Sequence, residues 1–219
     1  MKEKVKKIIA VVLTFLMSIG CVQSYPMVSA LESDYEVYPN PHMMEYQDGS
    51  FDITSNVNIV YEDGIDEYTR DRLNEVLAIK KINATTSTEV KEDQTNILVG
   101  IKGSNQYVDQ YAGEHYTVKT SNLFDQLDSY LLKVDNGKIT VLGKDTDAAF
   151  YGLTSLYHIF KQLDGTNIRN FTMEDYANVA SRGFIEGYYG NPWSTTDRIK
   201  LMEWGGYYKL NSYFYAPKD

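Results

Sequence analysis

The sequence predicts an α/β fold, with a small mixed sheet carrying packed helices, followed by one strand–helix–strand unit of a parallel sheet. Three observations carry that prediction. From Tyr35 to Leu163, short β-prone runs alternate with stretches of helical periodicity. Asn136-Gly137 stands between two alternating apolar runs, the favoured pattern for a type I′ hairpin turn. Within about 40 residues of Ala180, a strand, a helix and a second strand follow one another, an order that demands a parallel pair.

The first 30 residues read as an export signal. Lys2, Lys4, Lys6 and Lys7 form a basic start, and Ile8 to Ile19 is an apolar run broken only by Thr14 and Ser18, short for a bilayer span. Val28-Ser29-Ala30 supplies the small-x-small cleavage pattern, so the mature, secreted chain is expected to begin near Leu31. The competing reading is lipid attachment at Cys21, after Ser18-Ile19-Gly20.

The elements then follow in order. Tyr35 to Tyr38 is β-prone and closed by Pro39-Asn40-Pro41; Phe51 to Ile53 and Val57 to Tyr61 are two further β-prone runs. Asp66 to Ile82 places Leu73, Val76, Leu77 and Ile79 near helical spacing, with charges on the other face. Asn96 to Ile101 is a compact apolar strand, and Tyr130 to Val134 with Lys138 to Leu142 are the arms of the hairpin. Asp147 to Leu163 is the second helix, its apolar face set by Ala149, Leu153, Leu156 and Phe160. Asp164 to Asn178, polar and containing Gly165, reads as a connection. The expected organisation is therefore a leader over 1–30, a small two-helix α/β domain over 31–170, and a second segment over 180–219.

Charge narrows the function classes. Thirty acidic residues against 21 basic give a net charge of −9 and a pI near 4.9, which disfavours a nucleic-acid ligand because phosphate neutralisation needs clustered Lys and Arg. Loss of the leader leaves a net charge of −12 and removes Cys21, the one cysteine, so no intrachain disulfide can form. His42, His115 and His158 have no mutual metal-ligand spacing, and His158 is expected to be a packing or surface residue of its helix. No Walker loop, Cys–His cluster or GxSxG is present, and no cofactor or metal is expected. Glu62-Asp63, Glu92-Asp93 and Glu174-Asp175 fall in predicted loops and are expected to be solvated.

The C-terminal segment is compositionally distinct. Ten aromatics lie between Phe184 and Tyr215, both tryptophans (Trp193 and Trp204) among them. Phe184-Ile185-Glu186 reads as a short buried strand, Ser194 with Asp197 as the cap of a helix running to about Lys209, and Leu210 to Tyr215 as the next strand, closed by Ala216-Pro217. In a parallel sheet, ligand groups sit just past the C-terminal ends of strands. Those positions hold Glu186-Gly187-Tyr188-Tyr189-Gly190 and Lys218-Asp219, on one rim. Gly187 would let a ligand approach the backbone. Tyr188, Tyr189 and Trp193 offer flat apolar faces for a sugar ring, and Lys218 and Asp219 a donor and an acceptor for hydroxyls. The same residues would also suit ordinary core or loop packing.

The run Arg182-Gly183-Phe184-Ile185-Glu186-Gly187-Tyr188-Tyr189-Gly190-Asn191-Pro192-Trp193-Ser194, then Asp197-Arg198, then Lys209 to Asp219, resembles the opening of the catalytic barrel of glycoside hydrolase family 84, the β-N-acetylglucosaminidases that include O-GlcNAcases and secreted bacterial proteins called hyaluronidases. Leu142 to Leu153 is similar to the end of the small α/β domain that precedes that barrel and that family 20 hexosaminidases share. Tyr188 and Asn191 depart mildly from the usual motif. The resemblance implies a hexosaminidase domain-2-like domain followed by the first βαβ unit of a truncated (β/α)8 barrel. It implies substrate-binding roles for Gly187, through its backbone, and Lys218, through a sugar hydroxyl; Asp219 belongs to the same motif. Tyr188, Tyr189 and Trp193 would support the pocket wall. The partners implied are glycans or glycoproteins bearing N-acetylglucosamine, with no nucleic acid and no stable membrane insertion.

The implied reaction is substrate-assisted. The 2-acetamido carbonyl attacks the anomeric carbon, one carboxylate orients the amide and a second acts as general acid and then base, in place of the protein nucleophile of most retaining glycosidases. It uses two adjacent Asp residues at the end of the fourth barrel strand, and no Asp-Asp pair occurs in these 219 residues. The expectation is an N-terminal portion of such an enzyme, inactive alone. The alternatives left open are a carbohydrate-binding or adhesion module formed by residues 35–165, and a family 20 β-hexosaminidase.

Overall fold

The structure, a computed structural model, describes residues 34–187 and 192–215. Within them, residues from Tyr35 onward belong to one compact unit. Its seven-stranded sheet is formed by β1 (Met43–Asp52), β2 (Asn56–Tyr61), β3 (Asn83–Ser87), β4 (Asn96–Ile101), β5 (Leu127–Asp135), β6 (Lys138–Gly143) and β7 (Asn167–Ala177), in the order β1-β7-β5-β6-β4-β2-β3. β1, β7, β5 and β6 run antiparallel to their neighbours; β6, β4, β2 and β3 are parallel.

Alternation along the central strands explains why both faces need cover. Ile97 and Val99, Leu132 and Val134, and Val141 face one side, where α1 (Glu67–Ile79) and α3 (Thr146–Gln162) bring Leu73, Val76, Leu153, Leu156 and Phe160. Leu98, Leu131 and Leu142 face the other, against α2 (Tyr107–His115) and a 3-10 turn at Leu123–Asp125. Asp66 and Asp145 start the two longer helices by accepting from the backbone N–H of Thr69 (2.8 Å) and Ala148 (2.9 Å). The Asn136-Gly137 turn has positive φ at both residues (46° and 72°), as the type I′ geometry requires.

Three expectations are corrected. Asp164 to Asn178 is no connection: it holds β7, an eleven-residue strand inserted between β1 and β5. Its polar residues disguise it because Glu174 and Asp175 are buried with specific partners. A third helix, α2, buries only Val108, Asp109 and Ala112, too thin a stripe to register as helical periodicity. Tyr35 to Tyr38 forms no strand; Tyr35 gives its N–H to Tyr46 Oη and Tyr38 its N–H to His158 Nδ1, in place of a ladder.

The C-terminal segment forms β8 (Gly183–Glu186), α4 (Thr195–Gly206) and β9 (Ser212–Tyr215), with β8 and β9 parallel in a two-stranded sheet. The strand–helix–strand expectation is met, but β8 is not buried as expected: Ile185 is 75% exposed. Gly183 is needed because a Cβ there would fall on the Ser212 carbonyl of β9. No helix among the described residues is long and apolar enough to cross a membrane.

Candidate functional site

β8 and β9 pair in register from Gly183 opposite Ser212 to Glu186 opposite Tyr215, so both carbonyl ends reach one rim. Gly187 stands exposed at that rim, directly after Glu186. Ser194 starts α4 beside it, accepting from the Asp197 N–H (3.1 Å) and donating to Asp197 Oδ2 (2.6 Å).

One carboxylate organises the rim. Glu186 is 4% exposed. It takes two bonds from the Arg198 guanidinium, Nε to Oε2 at 2.7 Å and Nη2 to Oε1 at 2.9 Å. The Trp193 N–H adds a third (3.2 Å) and the Tyr213 hydroxyl a fourth. The Arg198 bonds, against the opposing effect of burial and with help from Tyr213 and Trp193, hold its carboxyl down at about 2. Arg198 also lies 4.7 Å above the Tyr215 ring. Strand β8, the far end of the rim segment, α4 and β9 therefore meet on one side chain.

The opposite ends of the same strands are fixed to the seven-stranded sheet. Arg182, just before β8, donates to Asp128 Oδ2 (2.7 Å), Val179 O (2.7 Å) and Lys209 O (3.0 Å). Lys209, in the left-handed region at φ 60°, buries its ammonium against Asp175 Oδ2 and Tyr130 Oη, both at 2.9 Å. Asp175 also accepts from the His42 N–H (3.2 Å), His42 Nδ1 (2.9 Å) and Tyr130 Oη (3.0 Å). Burial pushes the Asp175 carboxyl up, and the Lys209 charge with these bonds more than reverses it, leaving it below the ordinary carboxylate range. Burial lowers Lys209 in turn, with Asp175 opposing. The carboxylate, with its four donors, is the member whose charge the fold supports best. A cavity of about 220 Å³ lies beside this junction, with His42, Tyr176, Asp175, Arg182 and Lys209 in its lining.

The remaining buried acids are also committed. Glu62, 2% exposed, accepts from the N–H groups of Ile101 and Asp109 (both 2.7 Å) and from Ser104 Oγ (2.8 Å). Glu174 accepts from the N–H groups of Lys119 (2.8 Å) and Thr120 (2.6 Å). Asp109 accepts from Lys102, Gly103 and Asn105 (2.9, 3.1 and 3.0 Å). The expectation that Glu62, Glu174 and Asp175 are solvated is thus overturned, since each is buried to anchor a loop or a junction. His158 is a packing residue whose imidazole burial holds below its ordinary range. Among the described residues, no cluster of three or more His, Cys, Asp or Glu could hold a metal.

Residues 34–176 match the family described as glycosyl hydrolase family 20, domain 2, and residues 182–219 the family described as beta-N-acetylglucosaminidase. The solved structure of CpGH84D matches 85% of this chain at 47% identity and a TM-score of 0.82. CpGH84B matches 85% at 27% identity and a TM-score of 0.67. The chain belongs to glycoside hydrolase family 84. It spans 31% of CpGH84D and 30% of CpGH84B. A family 20 exo β-N-acetylglucosaminidase from Vibrio harveyi, determined as an inactive mutant and with N-acetylglucosamine, shares the fold at 15% and 16% identity, with TM-scores of 0.60.

Of the residues the family 84 resemblance pointed to, the structure brings Gly187 and the Trp193 backbone to one place through Glu186, and leaves the Trp193 side chain 47% exposed. Tyr188, Tyr189, Lys218 and Asp219 lie outside the described residues. Glu186, Arg198 and Tyr213 were all in the quoted motif, but sequence reasoning gave them no role. A carboxylate at a strand terminus, with an arginine in the first turn of the following helix, was the available signal.

Proposed function

We propose that this chain carries the small domain and the opening strand–helix–strand of a family 84 β-N-acetylglucosaminidase. Its rim at Gly187 receives terminal β-linked N-acetylglucosamine of a glycan or glycoprotein. Gly187 offers backbone to the sugar, Lys218 a donor to a hydroxyl, Asp219 stands in the same motif, and Tyr188, Tyr189 and Trp193 support the wall. The observation that carries this reading is the position of Gly187 at the carbonyl edge of a parallel pair, inside a segment matched to β-N-acetylglucosaminidases.

The parent reaction would be the substrate-assisted retaining hydrolysis described above. These 219 residues would bind the sugar without cleaving it, because they contain no Asp-Asp pair and the buried carboxylates described above are occupied by donors. Residues 1–30 would direct export, giving a secreted chain that starts at Leu31.

Titration of the ¹⁵N-labelled chain with N-acetylglucosamine tests the binding. The expected result is a shift of the Gly187 amide with the α2 face unmoved, and no Gly187 response would overturn it. A chromogenic β-N-acetylglucosaminide should give no turnover above background.

A further inference from the structure

Glu186 neighbours the sugar-contacting glycine, yet its geometry is unlike that of a catalytic acid. A carboxylate presents about four acceptor sites. On Glu186 four donors occupy them: two from Arg198, one from the Trp193 backbone and one from the Tyr213 hydroxyl. No acceptor site is left for a proton or a substrate hydroxyl, and the two-point Arg198 grip fixes the plane of the group.

The carboxylate and its donors come from four places that have to be set together for a rim to exist. The Glu186 backbone ends β8 and leads into Gly187. Trp193 closes the far end of the segment that Gly187 opens. Arg198 sits in the first turns of α4, and Tyr213 is on β9, two residues before the Tyr215 that pairs with Glu186. Tyr215 in turn carries Arg198 over its ring. Holding Trp193, α4 and β9 on the side chain that directly precedes Gly187 leaves less to order around that glycine when a ligand arrives.

We propose that Glu186 is the positioning residue of the sugar site. Its carboxylate, clamped by Arg198 and Tyr213, ties back the Trp193 amide and so places the Gly187 backbone where the sugar meets it. The inference rests on the sugar-binding reading for its ligand but not for its geometry.

The test uses the full chain with Glu186→Gln, which keeps the shape and loses the charge, and Arg198→Lys, which keeps a cation and loses the two-point grip. In Glu186→Gln the amides of Gly187 and Trp193 should shift while those of β5 and β6 stay in place. Affinity for N-acetylglucosamine should fall about tenfold, the scale of one charged hydrogen bond. Arg198→Lys should fall between this variant and the wild type. A merely structural role would lower the melting temperature of both variants and leave N-acetylglucosamine affinity within about twofold of wild type; that result, or unmoved Gly187 and Trp193 amides, overturns the proposal. If the wild-type chain shows no response to the sugar, the functional reading fails and the amide shifts alone decide the role of Glu186. If Glu186→Gln does not fold, Arg198→Lys carries the comparison.

Discussion

A buried carboxylate surrounded by donors is worth most where its charge is complete, and this makes acid the natural probe of Glu186. Its carboxyl, at about 2 in the folded chain against an ordinary 4.5, is depressed; its contribution is therefore fully present above about pH 4.5 and is lost as pH falls toward 2. The groups that face it are Arg198 and Tyr213, with Tyr215 beneath Arg198. Urea midpoints of the wild type should decline across that window more steeply than those of Glu186→Gln, and parallel curves would contradict the assignment. At the junction, Asp175→Asn leaves the buried Lys209 ammonium without its counter-charge and should cost about 3–5 kcal/mol in urea unfolding. Adding Lys209→Met should recover part of it. None of these roles was legible residue by residue. Asp175 sits beside Glu174 in a polar stretch, and only the fold reveals that its partner is a lysine 34 positions later.

Elements were legible where one physical signal dominated. The boundaries of β4, read as Asn96 to Ile101, coincide with the structure, and the hairpin turn sits where Asn-Gly places it. The helix expected over Asp66 to Ile82 is α1 at Glu67–Ile79, with Asp66 as its cap; that over Asp147 to Leu163 is α3 at Thr146–Gln162, capped by Asp145. Removing the second cap with Asp145→Ala should cost about 1 kcal/mol, measured by chemical denaturation. The face of α3 is set as much by what is missing as by its apolar residues. A Cβ on Gly152 would lie 2.7 Å from Val141 Cγ1 and 3.1 Å from Tyr130 Cδ2. Gly152→Ala should therefore destabilise the chain by about 1–3 kcal/mol through overpacking, although alanine is the better helix former. β7 and α2 escaped detection for opposite reasons: β7 buries acids that periodicity treats as solvent-facing, and α2 buries too little to generate a period.

For the molecule as a whole, the α/β class and the order of a small domain before a βαβ unit could be read from the sequence, whereas their joint could not. Arg72 on α1 lies between aromatic rings from both parts, with its guanidinium carbon 4.3 Å from the Tyr207 ring, 4.7 Å from Phe150 and 5.8 Å from Tyr157. Tyr207 stacks on Tyr157 at 4.7 Å. Such contacts join residues 50 to 135 positions apart and leave no local pattern. Arg72→Ala should weaken the joint by about 2 kcal/mol, since the cation–π contacts are largely desolvated. Hydrogen exchange should then accelerate over 204–210 while β5 and β6 keep their protection. Equal acceleration in both regions would mean the two parts unfold as one.

The Lys209 anchor also has a consequence for the order of synthesis. Its partners Tyr130 and Asp175, and the Tyr157 ring and Arg72 guanidinium that hold the nearby Tyr207, all come earlier in the chain. A domain made first folds first. On the ribosome, the finished seven-stranded sheet would thus present a ready socket for Lys209, anchoring the chain just before β9 as that strand pairs with β8.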